Sequence, residues 1–195
     1  MTEPIKIRGL RQNNLKNISL DIPKNKIVVF TGVSGSGKSS IVFDTVAAES
    51  QRQMNETYTA WVRGRLPKYE KPNVELIDNL NPSVIIDQSR LGGNARSTVG
   101  TISDMYSLLR LLFSRIGTRL HAADIEKVVG ILESFVDRGN TVIVIEHNTD
   151  VIKLADYIID IGPDGGTKGG EVVFTGTPRE MYENGTTITA KYLRK

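Results

Sequence analysis

The apolar run Ile27-Val28-Val29-Phe30 leads directly into Thr31-Gly32-Val33-Ser34-Gly35-Ser36-Gly37-Lys38-Ser39-Ser40. A strand that feeds a Gly-x-x-x-x-Gly-Lys-Ser loop and then a helix constrains the fold more than any other feature of the chain. The glycines let the backbone wrap an anion, with amide N–H groups converging at the positive end of the following helix dipole. Lys38 is placed to reach the β- and γ-phosphates of a nucleotide, and the Ser39 hydroxyl to ligate Mg²⁺. The loop residues Gly32, Val33, Ser34, Gly35, Ser36, Gly37, Lys38, Ser39 and Ser40 therefore form the candidate nucleotide site.

Composition bounds the rest. The 195 residues are 39% hydrophobic and 24% charged, and no apolar run approaches the roughly 18 residues a membrane span requires. Met1-Thr2-Glu3-Pro4 is not a basic-then-apolar leader, so a soluble, cytoplasmic chain with no membrane partner is expected. With no cysteine there is neither a disulfide nor a thiolate zinc site to expect. A net charge of +3 suits an anionic partner without demanding one.

Strands and helices alternate after a β-rich start, which predicts an α/β fold with helices flanking a mostly parallel sheet. Ile5 to Arg8 and Ile18 to Ile22 alternate apolar and polar residues and read as half-exposed strands joined by a turn at Asn13-Asn14. A helix from Ser39 to about Glu49 is expected to bury Ile41, Val42, Thr45 and Val46. Between Gln51 and Pro82, Arg52, Arg63, Arg65, Lys68 and Lys71 interleave with Tyr58, Trp61 and Tyr69. That pattern fits nucleic-acid contact or a solvated subdomain whose rings cover a small core.

Val84 to Gln88 reads as a short buried strand, and Thr101 to Arg115 and Ala122 to Arg138 as amphipathic helices, the second closed by Gly139. Thr141 to Ile145 is a continuous β-branched run of the type buried on both faces, and it delivers Glu146-His147 at its C-terminal end. Chemistry collects at that end of α/β sheets, which makes His147 a candidate γ-phosphate sensor. The segment Asp150 to Ala155, a strand over Tyr157 to Ile161, a glycine-rich turn over Gly162 to Gly170 and a strand over Glu171 to Thr175 complete the sheet, then a helix start with Thr177 as cap and Pro178 in its first turn.

The segments RQNNLKNISLDIPKNKIVVFTGVSGSGKSS, DQSRLGGNARSTVGT, GNTVIVIEHNTDVIKLADYIIDIGPDGG and GGEVVFTGTP resemble the ATP-binding-cassette ATPases of the UvrA type, the damage-scanning subunit of bacterial nucleotide excision repair. The resemblance covers most of the chain in family order. It implies a P-loop NTPase fold, an ABC-type core with a mixed sheet and a β-rich N-terminal edge, organised as one domain over residues 1–195. It further implies ATP and Mg²⁺ as ligands, Gln88 as the Q-loop glutamine beside Mg²⁺ and the attacking water, and His147 as the switch histidine. Leu120 to Asp124 resembles the end of the D-loop segment. Family members dimerise, bind DNA and hand damaged sites to excision-repair partners, so a homodimer, DNA and those proteins are the implied partners.

The departures are equally specific. The family's cysteine-bearing zinc module, LSGGE-type signature and Walker B strand ending in Asp-Glu fall between Gly117 and the D-loop, where this chain has only Thr118-Arg119. Residues 1–118 and 119–195 thus read as two parts joined across an internal deletion. Apolar runs end in Asp87 and Asp160, and neither is followed by glutamate. Loss of the water-orienting carboxylate commonly slows phosphoryl transfer about 10²-fold to 10⁴-fold, and loss of the Walker B aspartate removes a Mg²⁺ tether, so weakened binding with poor hydrolysis is expected. Two further readings stay open. One is a small P-loop kinase using Asp87 on Mg²⁺ with Arg90 and Arg96 as phosphate clamps, and the other is a non-enzymatic interaction domain with a vestigial loop.

Overall fold

The computed structural model describes residues 2–86 and 122–194, with no side-chain description for 122–124. Two sheets make up its β structure. The first is antiparallel, in the order β2-β1-β4, from β1 (Ile5–Leu10), β2 (Ile18–Ile22) and β4 (Leu76–Asp78). Alternation of buried and exposed residues along β2 follows the sequence, because one face lies on the core and the other on solvent.

The second sheet runs β5-β3-β6-β7, from β3 (Ile27–Thr31), β5 (Val142–Ile145), β6 (Tyr157–Gly162) and β7 (Glu171–Gly176). Parallel pairing of β3 with β5 sets Phe30 opposite Ile145, and parallel pairing with β6 sets Thr31 opposite Asp160. Strand β7 runs antiparallel to β6, so the sheet is mixed, as expected of this α/β core. All five residues of β3 are buried, with Val28, Val29 and Phe30 at 0% exposure. Phe30 and Ile41 join Ile5, Ile7 and Ile22 in one apolar cluster, while Val29 and Ile158 face Ile152, Met181 and Leu193 in another.

The helix after the loop is longer than the pattern over Ser39 to Glu49 predicts. It runs as α1 (Lys38–Ile41), a π-helical turn over Val42–Ala47 and α2 (Ala48–Glu56). The Thr45 hydroxyl donates to the Ser40 carbonyl at 2.7 Å, a side chain entering the backbone ladder where the wider turn occurs. Ile41, Val42, Thr45 and Val46 are buried as expected. Within α2, the Arg52 guanidinium is paired with Glu49 and Glu56, which extends the helix on charge rather than apolar periodicity.

Other expectations need correction. Val84, Ile85 and Ile86 form no strand, and Val84 is 79% exposed, because no described strand lies beside them. Strand β5 is half-buried along its length rather than buried on both faces, since it pairs only with β3 among the described residues and its outer edge has no described partner. In the single-turn helix α3 (Ala60–Arg63), Trp61 covers no core: it is 71% exposed, with the Arg65 guanidinium 3.7 Å from its ring centre. The segment Thr101 to Arg115, like Asp87 and Gln88, lies outside the described residues.

Helix α4 (Ala122–Asp137) ends one residue before the expected Arg138, and Gly139 follows with φ 83°, the left-handed turn that ends it. Its inward face is rotated slightly from the predicted one: Ile125 and Val129 are buried, while Val128, Leu132 and Phe135 are half-buried. Helix α5 (Thr149–Lys153) is capped by the Asn148 side chain, α6 (Pro178–Asn184) by Thr177 and α7 (Ile188–Leu193) by Thr187. Thr177 and Glu180 complete a reciprocal capping box. Thr177→Ala is expected to lower stability by about 1 kcal/mol, read as a shift in the urea midpoint with unchanged slope.

Candidate nucleotide site

The loop between β3 and α1 carries left-handed backbone at Gly32 (φ 126°), Gly35 (φ 75°) and Gly37 (φ 114°). Close packing also excludes a side chain at Gly32 and would require Leu15 to shift at Gly37. A β-carbon at Gly32 would lie 2.0 Å from the Ile161 carbonyl oxygen, and one at Gly37 would lie 2.7 Å from Leu15 Cδ2. The sequence pattern of glycines is thus a demand of both dihedral and space.

The loop's carbonyls are systematically occupied. Lys38 Nζ donates to the carbonyls of Gly32 at 2.8 Å and Val33 at 2.7 Å. The Gly35 carbonyl accepts from Gly166 N and Asn14 Nδ2, both at 3.0 Å, and the Ser36 carbonyl accepts from Gly170 N at 2.9 Å. Ile41 N closes on Gly37 O at 3.1 Å, the first bond of the helix. Asn14, Gly35, Gly37, Lys38, Ser39 and Ser40 line a depression of about 160 Å³ over the loop. Ser39 is exposed there, while Ser36 is fully buried beneath.

Burial lowers the Lys38 pKa, and the Asp160 carboxylate opposes that shift. Asp160 is 2% exposed on β6, beside Thr31. Its Oδ1 accepts from the Thr189 hydroxyl at 3.2 Å, and its Oδ2 has no hydrogen-bond partner. Burial pushes its pKa up, with the Thr189 hydroxyl and Lys38 among the groups pulling it back.

His147 follows β5, where Glu146 N donates to Phe30 O at 3.1 Å, so it stands at the same end of the sheet as the loop. Its side chain is 92% exposed, with Nδ1 3.6 Å from Glu146 Oε1. Gln88 lies outside the described residues. For Mg²⁺, Ser39 offers one neutral oxygen on the rim of the depression, and no group of three His, Cys, Asp or Glu able to hold a metal occurs among the described residues. That donor set fits an ion that arrives with a nucleotide and is held largely by phosphate oxygens, as Mg²⁺ commonly is.

No family model matches the chain. Over 158 residues, 81% of its length, it is 46% identical to UvrABC system protein A of Helicobacter pylori. It is 53% identical over 114 residues to the Synechocystis protein of that name and 55% identical over 113 residues to that of Malacoplasma penetrans. The chain is UvrA-like. It spans 17% of the length of the Helicobacter relative and 12% of the other two. The fold of UvrA2 from Deinococcus radiodurans matches 98% of the UvrA-like chain and 58% of that structure's chain, with a TM-score of 0.79 at 17% identity. CbiO1 from Clostridium perfringens, part of an ABC transporter complex, matches 94% of this chain and 92% of its own with a TM-score of 0.51 at 14% identity. An ABC-type ATPase core is therefore the fold of the UvrA-like chain.

Sequence reasoning missed Asn14, Asp160 and the Gly162–Gly170 turn as parts of the site. The doubled Asn13-Asn14 and the glycine pairs at 165–166 and 169–170 were visible signals, but their meaning depends on which loop they meet. Asp160 also makes a pH prediction. A folded-state pKa raised from 3.8 means that its stabilising contribution is full at lower pH and is lost as pH rises through the raised value. Urea midpoints measured from pH 4 upward should fall more for the wild type than for Asp160→Asn over that window, and parallel curves would contradict the assignment.

Proposed function

We propose that the chain is the ATP-binding core of a UvrA-like DNA repair ATPase, with Mg-ATP as its ligand and slow or no hydrolysis by the chain itself. The observation that carries this reading is the loop's geometry: left-handed glycines and occupied carbonyls leave a shallow polar depression with Lys38 at its edge. Amides turned towards an anion at a helix N-terminus provide the binding energy, and Lys38 exchanges the Gly32 and Val33 carbonyls for phosphate oxygens. Ser39 supplies an oxygen for the Mg²⁺ that neutralises phosphate charge when bound. The remaining roles follow the UvrA likeness: His147, exposed at the end of β5, senses the γ-phosphate, and Gln88 positions water.

Asp160 does not replace the Walker B carboxylate in this reading. It sits on β6, whereas β5, the strand that delivers His147, flanks β3 on the opposite side. Its free oxygen is buried, and it faces Thr189. The organisation of residues 1–195 as one domain, a homodimer, DNA and excision-repair partners, and a cytoplasmic location belong to the same proposal, supported by the similarity to UvrABC system protein A. Among the described residues no helix is long and apolar enough to cross a membrane.

Isothermal titration with Mg-ATP tests the core of the proposal. Wild-type protein should release heat on binding, Lys38→Ala should lose at least about 100-fold in affinity, and His147→Ala should bind within about twofold of wild type. Equal loss in both variants would remove the assigned roles. DNA contact is read separately: a gel shift that weakens steeply between low and physiological salt supports it, and no shift at low salt rejects it.

A further inference from the structure

We propose that Asn14 and the Gly162–Gly170 turn form a brace that holds the phosphate loop in its binding shape, making Asn14 a positioning residue for the nucleotide phosphates. The inference rests on the nucleotide reading above and goes beyond it by assigning a role outside the loop motif. A glycine-rich loop has many accessible shapes, and phosphate binding requires one of them. Something must pull its carbonyls away from the ligand.

Three contacts do so from a single side. Asn14 Nδ2 donates at 3.0 Å to both Gly35 O and Gly166 O, bridging the crown of the loop to the turn. Gly166 N donates to the same Gly35 carbonyl at 3.0 Å, and Gly170 N donates to Ser36 O at 2.9 Å. The turn is itself tied to the Asn14 segment, because Lys16 N donates to Gly170 O at 2.9 Å and Lys16 Nζ pairs with Glu171 at 2.8 Å. On the other flank, Asn13 Nδ2 reaches Ser40 Oγ at 2.9 Å and Asp44 at 2.8 Å, fixing the same segment to the helix.

The fit is close enough to exclude a side chain at Gly165 and Gly170 of the turn. A β-carbon at Gly165 would lie 2.6 Å from Ser34 O, and one at Gly170 would lie 2.0 Å from Asn14 O. Gly165 has φ −90°, which any residue adopts, so close packing against the loop is the reason for glycine there. Carbonyls held outward leave the amide dipoles aimed at the ligand before it arrives, so binding need not order the loop.

Gly165 does not line the depression, so a change there reaches the nucleotide only through the loop. Asn14→Ala and Gly165→Ala are each expected to weaken Mg-ATP binding about tenfold, the scale of one or two hydrogen bonds. Tripolyphosphate should lose affinity by a similar factor, and the double variant should lose less than the product of the two, because one brace is broken twice. Asn14→Ser, which keeps a donor, should recover part of the loss. Unfolding of the nucleotide-free variants is followed in parallel, and a lowered midpoint with wild-type affinity would show a structural role only and overturn the proposal. Wild-type protein that fails to bind Mg-ATP overturns the nucleotide reading and the brace together. Wild-type binding with unchanged binding by both variants overturns the brace alone.

Discussion

The parallel pairing of β3 with β5 and β6 is the constraint on which the rest of this molecule depends. It makes β3 the most buried strand, fixes where Thr31 ends, and so fixes where the phosphate loop begins. A one-residue slip would exchange Val28 and Phe30, which face the first apolar cluster, with Val29, which faces the second. The same slip would displace the loop from Ile161 and Asp160. Register, core and site are therefore one structural fact.

From that anchor, the site is assembled by backbone atoms more than by side chains. Gly32 fits against Ile161 O, and the Gly35 and Ser36 carbonyls are taken up by the turn after β6. Strand β6 thereby serves twice, as a flank of β3 and as the stem of the turn that meets the loop. Asp160 lies between these roles, buried and only partly hydrogen-bonded, and its raised pKa reflects the cost of burying a carboxyl, which its hydroxyl donors and Lys38 only partly offset. Lys38 balances that charge from across the loop.

Much of this was legible in the chain. The Gly-x-x-x-x-Gly-Lys-Ser loop, the alternation in β1 and β2, the cap at Thr177 and the end of α4 at Gly139 are local signals with local causes, and each appears where its pattern put it. Errors arose where burial depends on a neighbour. Val142 to Ile145 has the composition of a central strand yet is half-buried, because no described strand covers its outer edge, and Val84 to Ile86 has that of a strand yet makes none, because no described strand lies alongside. Apolar content shows what a segment could bury and not what is there to cover it.

That a buried strand would deliver an anion-binding loop to the start of a helix was written in the chain, because glycine spacing, Lys38 and the preceding β-branched residues all fall between Ile27 and Ser39. The UvrA likeness was written there in the same way, through motifs in a recognisable order. The place of Asn14 and the glycines of the 162–170 turn in that site emerges from the folded chain, since they lie far along the sequence from Gly35 and meet it through hydrogen bonds to main-chain carbonyls. Backbone acceptors carry no residue identity, so no pattern of side chains announces which partner will reach them.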